Sequence, residues 1–129
     1  MRAIDTNVIV RFLTGDDKRQ AKAARAAIEA GDIFIATTVL LETEWVLRSG
    51  YGFSLEQIAK GLRGLAGLPG VTVEAPSQLA QALDWMSHGI DFADGLHLAT
   101  AEGCDAFLSF DRKLIKAAMG RAPIPVEMP

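Results

Sequence analysis

The opening stretch, Met1-Arg-Ala-Ile-Asp-Thr-Asn-Val-Ile-Val-Arg-Phe-Leu-Thr-Gly-Asp-Asp17, reads as one complete strand-to-helix unit. Arg2–Ile4 is a very short apolar entry. It meets Asp5-Thr6-Asn7, whose short polar side chains favour helix caps, and Val8–Leu13 continues with helical character. Gly15 stops that helix, and Asp16-Asp17 caps a second one over Lys18–Ala30, which ends at Gly31-Asp32.

The same alternation continues outward along the chain. Ile33–Ala36 is a β-branched run and predicts a second strand, after which Thr37 or Thr38 can cap a helix carrying Leu40–Arg48. Ser54 opens another helix, with Glu56 and Gln57 in its first turn, and the glycines between Gly61 and Gly70 predict a ragged end for it. Val71–Val73 alternates like a strand, and Pro76-Ser77 begins a helix through Leu79, Ala82, Leu83 and Met86. Asp91–Ala101 is again helical. Ala106–Phe110 is strand-like, Asp111 caps a last short helix, and Ile124–Val126, flanked by prolines, predicts an edge strand. Short apolar strands alternating with helices define an α/β class with a parallel sheet covered on both faces. In such sheets ligands gather beyond the carboxyl ends of the strands, where Asp5 and Asp111 both stand.

The chain has 129 residues, half of them hydrophobic, which suits a single domain over 1–129 with a continuous core. No apolar run resembles a signal peptide or a membrane span, and the only cysteine, Cys104, reads as a small core residue; a cytoplasmic setting is expected. A net charge of -3 argues against a diffuse basic surface for nucleic acid. The basic residues are nevertheless clustered: Lys18, Arg19, Lys22 and Arg25 lie in an acid-free stretch, and Arg112, Lys113 and Lys116 follow Asp111. The first cluster reads either as a solvated helix face or as a contact for an RNA backbone.

Four carboxylates stand out, and each has a plain structural explanation beside a chemical one. Asp5 and Asp111 lie between strand and helix and are ordinary N-caps when taken singly. Glu42 has Thr38, Val39, Trp45 and Val46 as its neighbours at helical spacing, so it falls on a largely apolar face where a carboxylate needs a proton, a base or a metal. On the other reading Glu44 and Arg48 mark the wet side and Glu42 lies at its edge. Asp94 shares a stripe with Asp91, His97, Leu98 and Ala101, and the helix dipole accounts for Asp91 better than for Asp94. His97 and His88 have adequate structural explanations, and neither is assigned to catalysis. Trp45 and Trp85 read as core residues, with an interface as the other option.

Taken together, these residues resemble a PIN-domain ribonuclease of the VapC-like toxin group, the toxic half of bacterial toxin–antitoxin pairs. The carriers are Ile4-Asp5-Thr6-Asn7 with Val8, Glu42 in Thr38-Val-Leu-Leu-Glu42, Asp91-Phe-Ala-Asp94-Gly-Leu-His-Leu-Ala99, and Leu108-Ser-Phe-Asp111. The resemblance implies a three-layer α/β/α sandwich with a central, mainly parallel sheet. It also implies an acidic quartet of Asp5, Glu42, Asp94 and Asp111 that binds Mg²⁺ or Mn²⁺, with Asn7, Asp91 and Ser109 as auxiliary residues. An RNA substrate, a small antitoxin partner and a homodimer follow from the same likeness. Gly95 stands where the family more often has Ala, a change that costs a helix about 1 kcal/mol, and Ser109 stands where Thr is common.

Such a residue set suits phosphodiester hydrolysis, because a divalent ion held by oxygen ligands can acidify and orient a water and neutralise charge on the reacting phosphate. No histidine base is then required, and the expected products carry 5′-phosphate and 3′-hydroxyl ends. Three other readings compete, of which a Walker-type nucleotide-binding domain would need a Gly-rich Lys-Ser/Thr loop that the sequence lacks. A phosphoacceptor receiver domain would need paired acids after the first strand and a lysine after the last main strand. A non-catalytic binding module of the same fold would be expected to have lost some of the acids.

Overall fold

A computed structural model describes residues 1–129. The chain packs into two compact units, Met1–Pro76 and Ser77–Pro129, and each is considered in turn.

In the first unit β1 (Arg2–Ala3) leads to α1 (Thr6–Thr14), α2 (Lys18–Glu29), β2 (Ile33–Ile35), α3 (Thr37–Trp45), a π-helical turn (Val46–Gly50), α4 (Leu55–Ala66) and β3 (Val71–Val73). The strands form a parallel sheet in the order β1-β2-β3, with Arg2 opposite Ile33 and Ile33 opposite Val71. Because parallel strands cannot be joined by tight turns, each pair is separated by helices. The starts of β2 and β3 are drawn together at two glycines with positive φ. A Cβ on Gly70 would lie 2.8 Å from the Cα of Gly31, so only glycine fits there. Ile9, Ile28, Ile33, Ile35, Ile58 and Leu62 are fully buried in the core.

The starts of α1, α2 and α4 and the end of α1 follow their sequence signals closely. The Asp5 carboxylate accepts from the Val8 N–H and caps α1; Gly15, with φ of 66°, closes it. Asp17 caps α2 in the same way. Ser54 and Gln57 form a reciprocal capping box at the start of α4.

Three expectations in this unit are corrected. No threonine side chain caps α3; its N-cap is Ala36, and the Thr37 N–H is instead satisfied by the Glu74 carboxylate at 2.9 Å, a partner 37 residues away that local pattern does not reveal. Helix α4 continues through Gly61 and Gly64 to Ala66, since a Cβ at Gly61 would only just touch Leu13 and packing outweighs the propensity of glycine. The inward stripe of α3 is Leu40, Thr43, Glu44 and Leu47, not the one holding Glu42 and Trp45. Trp45 is therefore 59% exposed, and Glu44 is buried at 2% with Arg48 clasping it through Nε at 2.8 Å. Apolar residues lie on several sides of α3, so their spacing did not single out the face that packs.

The second unit holds α5 (Pro76–Met86), α6 (Phe92–Thr100), β4 (Phe107–Leu108), α7 (Arg112–Ala118) and β5 (Val126–Glu127). Strands β4 and β5 pair in parallel, Phe107 opposite Val126. Trp85, Ile90, Leu98, Ala99, Leu114 and Ala118 form one hydrophobic cluster, with Phe107 and Val126 packed against it. Trp85 is a core residue, the first of the two roles expected for it. Cys104 is not: it is exposed, in the turn after α6 where no core face exists. Gly95 is buried, and a Cβ there would come within 3.2 Å of Ala82, so the glycine lets α6 approach α5. Its absent side chain is used for packing rather than merely tolerated.

Both units show the α/β class with parallel strand pairing read from the sequence. No helix is long and apolar enough to cross a membrane.

Candidate active site

The first unit brings Asp5 and Glu42 into register through its topology. Strands β1 and β2 are adjacent and parallel, so their carboxyl ends lie on the same edge of the sheet, and the helices that follow start from that edge. Asp5 caps α1, and Thr6 is its first residue. The Thr6 hydroxyl, on a buried residue, donates to Oε1 of Glu42 on α3. One hydrogen bond thus joins α1 to α3 and holds the Glu42 carboxylate one residue from Asp5. Glu42 itself is exposed, so its place at the site comes from Thr6 and not from the apolar face expected from its spacing. Asn7, exposed beside Asp5, shares with it a groove of about 410 Å³ floored by Ala23, Ala24 and Ala27 and bounded by Arg11.

The second unit gathers Asp91, Asp94 and Asp111. Asp91 caps α6 through the Ala93 N–H at 3.2 Å, and Asp94 lies in the first turn of the same helix. Asp111 caps α7, accepting from the N–H groups of Lys113 at 3.0 Å and Leu114 at 3.1 Å. Ser109 Oγ accepts from the Asp111 N–H at 3.0 Å and so braces the turn that carries it. Partial burial, followed by the negative charges of Asp91 and Asp111, pushes the Asp94 carboxyl above its usual range, and His97 opposes the rise. Two further acids whose charges reach Asp94 are an unfavourable arrangement for folding alone.

These side chains offer only hard oxygen donors, the kind that Mg²⁺ and Mn²⁺ prefer, and a cation would relieve the repulsion around Asp94. In donor chemistry the residues fit a divalent ion. No group of three or more His, Cys, Asp or Glu side chains is gathered closely enough to hold one.

Lys18, Arg19, Lys22 and Arg25 all lie exposed on α2, whose Ala21, Ala24 and Ile28 face inward, and none of the four forms an ion pair. Thr6 escaped the reading of the sequence, because a threonine after an N-cap looks like any first-turn residue; its partner lies 36 residues away.

In an α/β chain with parallel strands, acids placed where strands give way to helices stand at the edge of the sheet where such folds bind their ligands. The family model for the PIN domain matches residues 3–119, and the chain belongs to the PIN domain family, a superfamily of nucleases. PIN nucleases generally hydrolyse phosphodiester bonds with the help of divalent metal ions. No curated protein matches the chain.

Proposed function

We propose that this chain is a Mg²⁺- or Mn²⁺-dependent endoribonuclease and the toxin of a VapC-like toxin–antitoxin pair. Asp5, Glu42, Asp94 and Asp111 act together in this reading, with Asn7, Asp91 and Ser109 in support. The observation that carries it is the PIN match over residues 3–119 in a chain whose Asp91, Asp94 and Asp111 stand at the first turns of two helices, where negative charge reaches Asp94 that a cation would offset. Membership of the PIN family, running from residue 3 to residue 119, supports treating the acids of both units as parts of one domain.

When bound, the ion supplies positive charge for the phosphate and lowers the pKa of water. The residues supply the rest. Asp5, Asp94 and Asp111 would hold the ion through carboxylate oxygens, and the N–H bonds to Asp111 fix the orientation of that side chain. Thr6 orients Glu42, which completes the ligand set or directs the attacking water. Attack by water leaves 5′-phosphate and 3′-hydroxyl ends. A small antitoxin with a basic segment complements an acidic cleft, and a homodimer in the cytoplasm completes the proposal.

A second reading, a non-catalytic binding module, is favoured by one observation: the acids are not drawn together into a metal cage. Incubating the purified protein with total RNA in Mn²⁺, with EDTA and Asp94→Asn as controls and mapping of the ends, decides between them. Discrete cuts lost in both controls are expected. Folded protein that cuts nothing in either metal would favour the binding module, and cyclic 2′,3′-phosphate ends would overturn the mechanism.

A further inference from the structure

Phe110 is 78% exposed, more than any other large apolar side chain of the protein. Folding does not account for this. Phe107, three residues earlier, packs against the hydrophobic cluster of the second unit, so the same segment is able to bury an aromatic ring. Nor is Phe110 alone, because Leu108, the last residue of β4 and two before it, is 58% exposed.

The ring is also presented from a fixed backbone. On one side the Ser109 N–H donates to the Glu127 carbonyl at 3.0 Å. On the other the Asp111 N–H donates to Ser109 Oγ at 3.0 Å, and the Asp111 carboxylate is held by two N–H groups of α7. Phe110 thus stands between two anchored residues, directly beside an acid whose charge is felt by Asp94. After Asp111 come Arg112 and Lys113, both exposed and neither in an ion pair.

An exposed ring on an anchored backbone, with two cations just beyond Asp111 and further acids nearby, has the composition of a single-strand binding site: the aromatic face stacks on a base and the cations take the backbone. We propose that Phe110 is a stacking platform for an unpaired base of single-stranded RNA next to the bond that is cut, with Arg112 and Lys113 contacting the adjacent phosphates. This rests on the ribonuclease reading above and specifies its substrate. Bases within a duplex are stacked on one another and offer no free face, so Phe110 selects unpaired segments.

The test uses the full chain and a fluorescein-labelled single-stranded RNA 12-mer of mixed sequence, with its duplex as comparison. Phe110→Ala should raise Kd and KM for the single strand by roughly 5- to 150-fold, the worth of one base stacked on an aromatic ring, and leave duplex binding unchanged. Phe110→Tyr should restore both, and Phe110→Trp should add a fluorescence signal that is quenched by the single strand. Thermal denaturation of each variant reports that the fold is intact. If wild type binds and cuts the 12-mer and Phe110→Ala does so equally well, the platform is overturned while the ribonuclease reading stands. A change in sedimentation of Phe110→Ala with unaltered RNA binding would also overturn it, assigning the ring to a protein interface. Wild type that neither binds nor cuts any RNA would overturn both.

Discussion

At the scale of single residues, Asp94 and Thr6 carry the clearest consequences. The Asp94 carboxyl is raised by partial burial and by the charges of Asp91 and Asp111. A carboxyl whose folded value exceeds its unfolded one favours the folded state at low pH, and that advantage is lost as pH rises through the folded value. At neutral pH the ionised side chain is therefore a burden to the metal-free protein. Asp94→Asn, assayed in EDTA, should raise Tm by a few degrees at pH 7, and the difference should shrink as pH falls toward the ordinary carboxylate range near 4. The same substitution should abolish RNA cleavage, the signature of a residue kept for chemistry and not for stability. An equal Tm difference at pH 7 and pH 4 would count against the electrostatic account.

Thr6 makes a separate prediction. Its hydroxyl is the one side-chain donor found on Glu42, and valine has nearly its shape without the hydroxyl. Thr6→Val should leave Glu42 free to turn into water, raise the Mn²⁺ concentration for half-maximal cleavage by about tenfold, and spare the fold. That factor corresponds to about 1.4 kcal/mol, at the upper end of what a typical hydrogen bond contributes and just under the range for one to a charged group. Thr6→Ser should behave like wild type; a Thr6→Val variant with unchanged metal dependence would remove the positioning role.

At the scale of elements, α5 and α6 show how packing reverses a propensity rule. Alanine favours a helix over glycine by about 1 kcal/mol, so Gly95→Ala would stabilise α6 in isolation. In the folded chain the new Cβ would meet the Cα and Cβ of Ala82 at 3.2 Å. Overpacking of a tight contact costs about 1–3 kcal/mol. The net expectation is a loss of about 1 kcal/mol, seen as a lower urea midpoint with an unchanged slope. A gain in stability would show that α5 yields freely. Helices α1, α2, α4, α6 and α7 end or begin where Asp5, Asp17, Ser54, Asp91 and Asp111 stand, because a cap is satisfied by residues two or three positions away. Helix α3 lacks such a signal, and its first N–H bond goes to Glu74.

At the scale of the whole molecule, a chain of net charge -3 must bind an anionic polymer through local charge. The exposed, unpaired cations of α2 are one such group. If Lys18 and Lys22 contact phosphates, Lys18→Glu with Lys22→Glu should weaken binding of single-stranded RNA and flatten its dependence of log K on log salt by about 1.4, two contacts at about 0.7 each. An unchanged slope would return the cluster to a solvated face.

Much of the protein was legible before any coordinates. Most helix starts, with Asp5, Asp91 and Asp111 standing at them, depend on neighbours within a few residues and are written locally, and parallel pairing followed from the alternation of strands with helices along the chain. The likeness to PIN ribonucleases carried the choice of Asp5, Glu42, Asp94 and Asp111 beyond what caps alone would justify. Tertiary structure decided the rest. Glu44 and not Glu42 is buried, Trp45 and Cys104 are exposed, Gly95 is a packing contact, and Thr6 reaches Glu42. Each of these depends on which partner a face meets across dozens of residues of chain. Periodicity states that a helix has an apolar face, but on α3, with apolar residues on several sides, only the packed neighbour determines which face is buried.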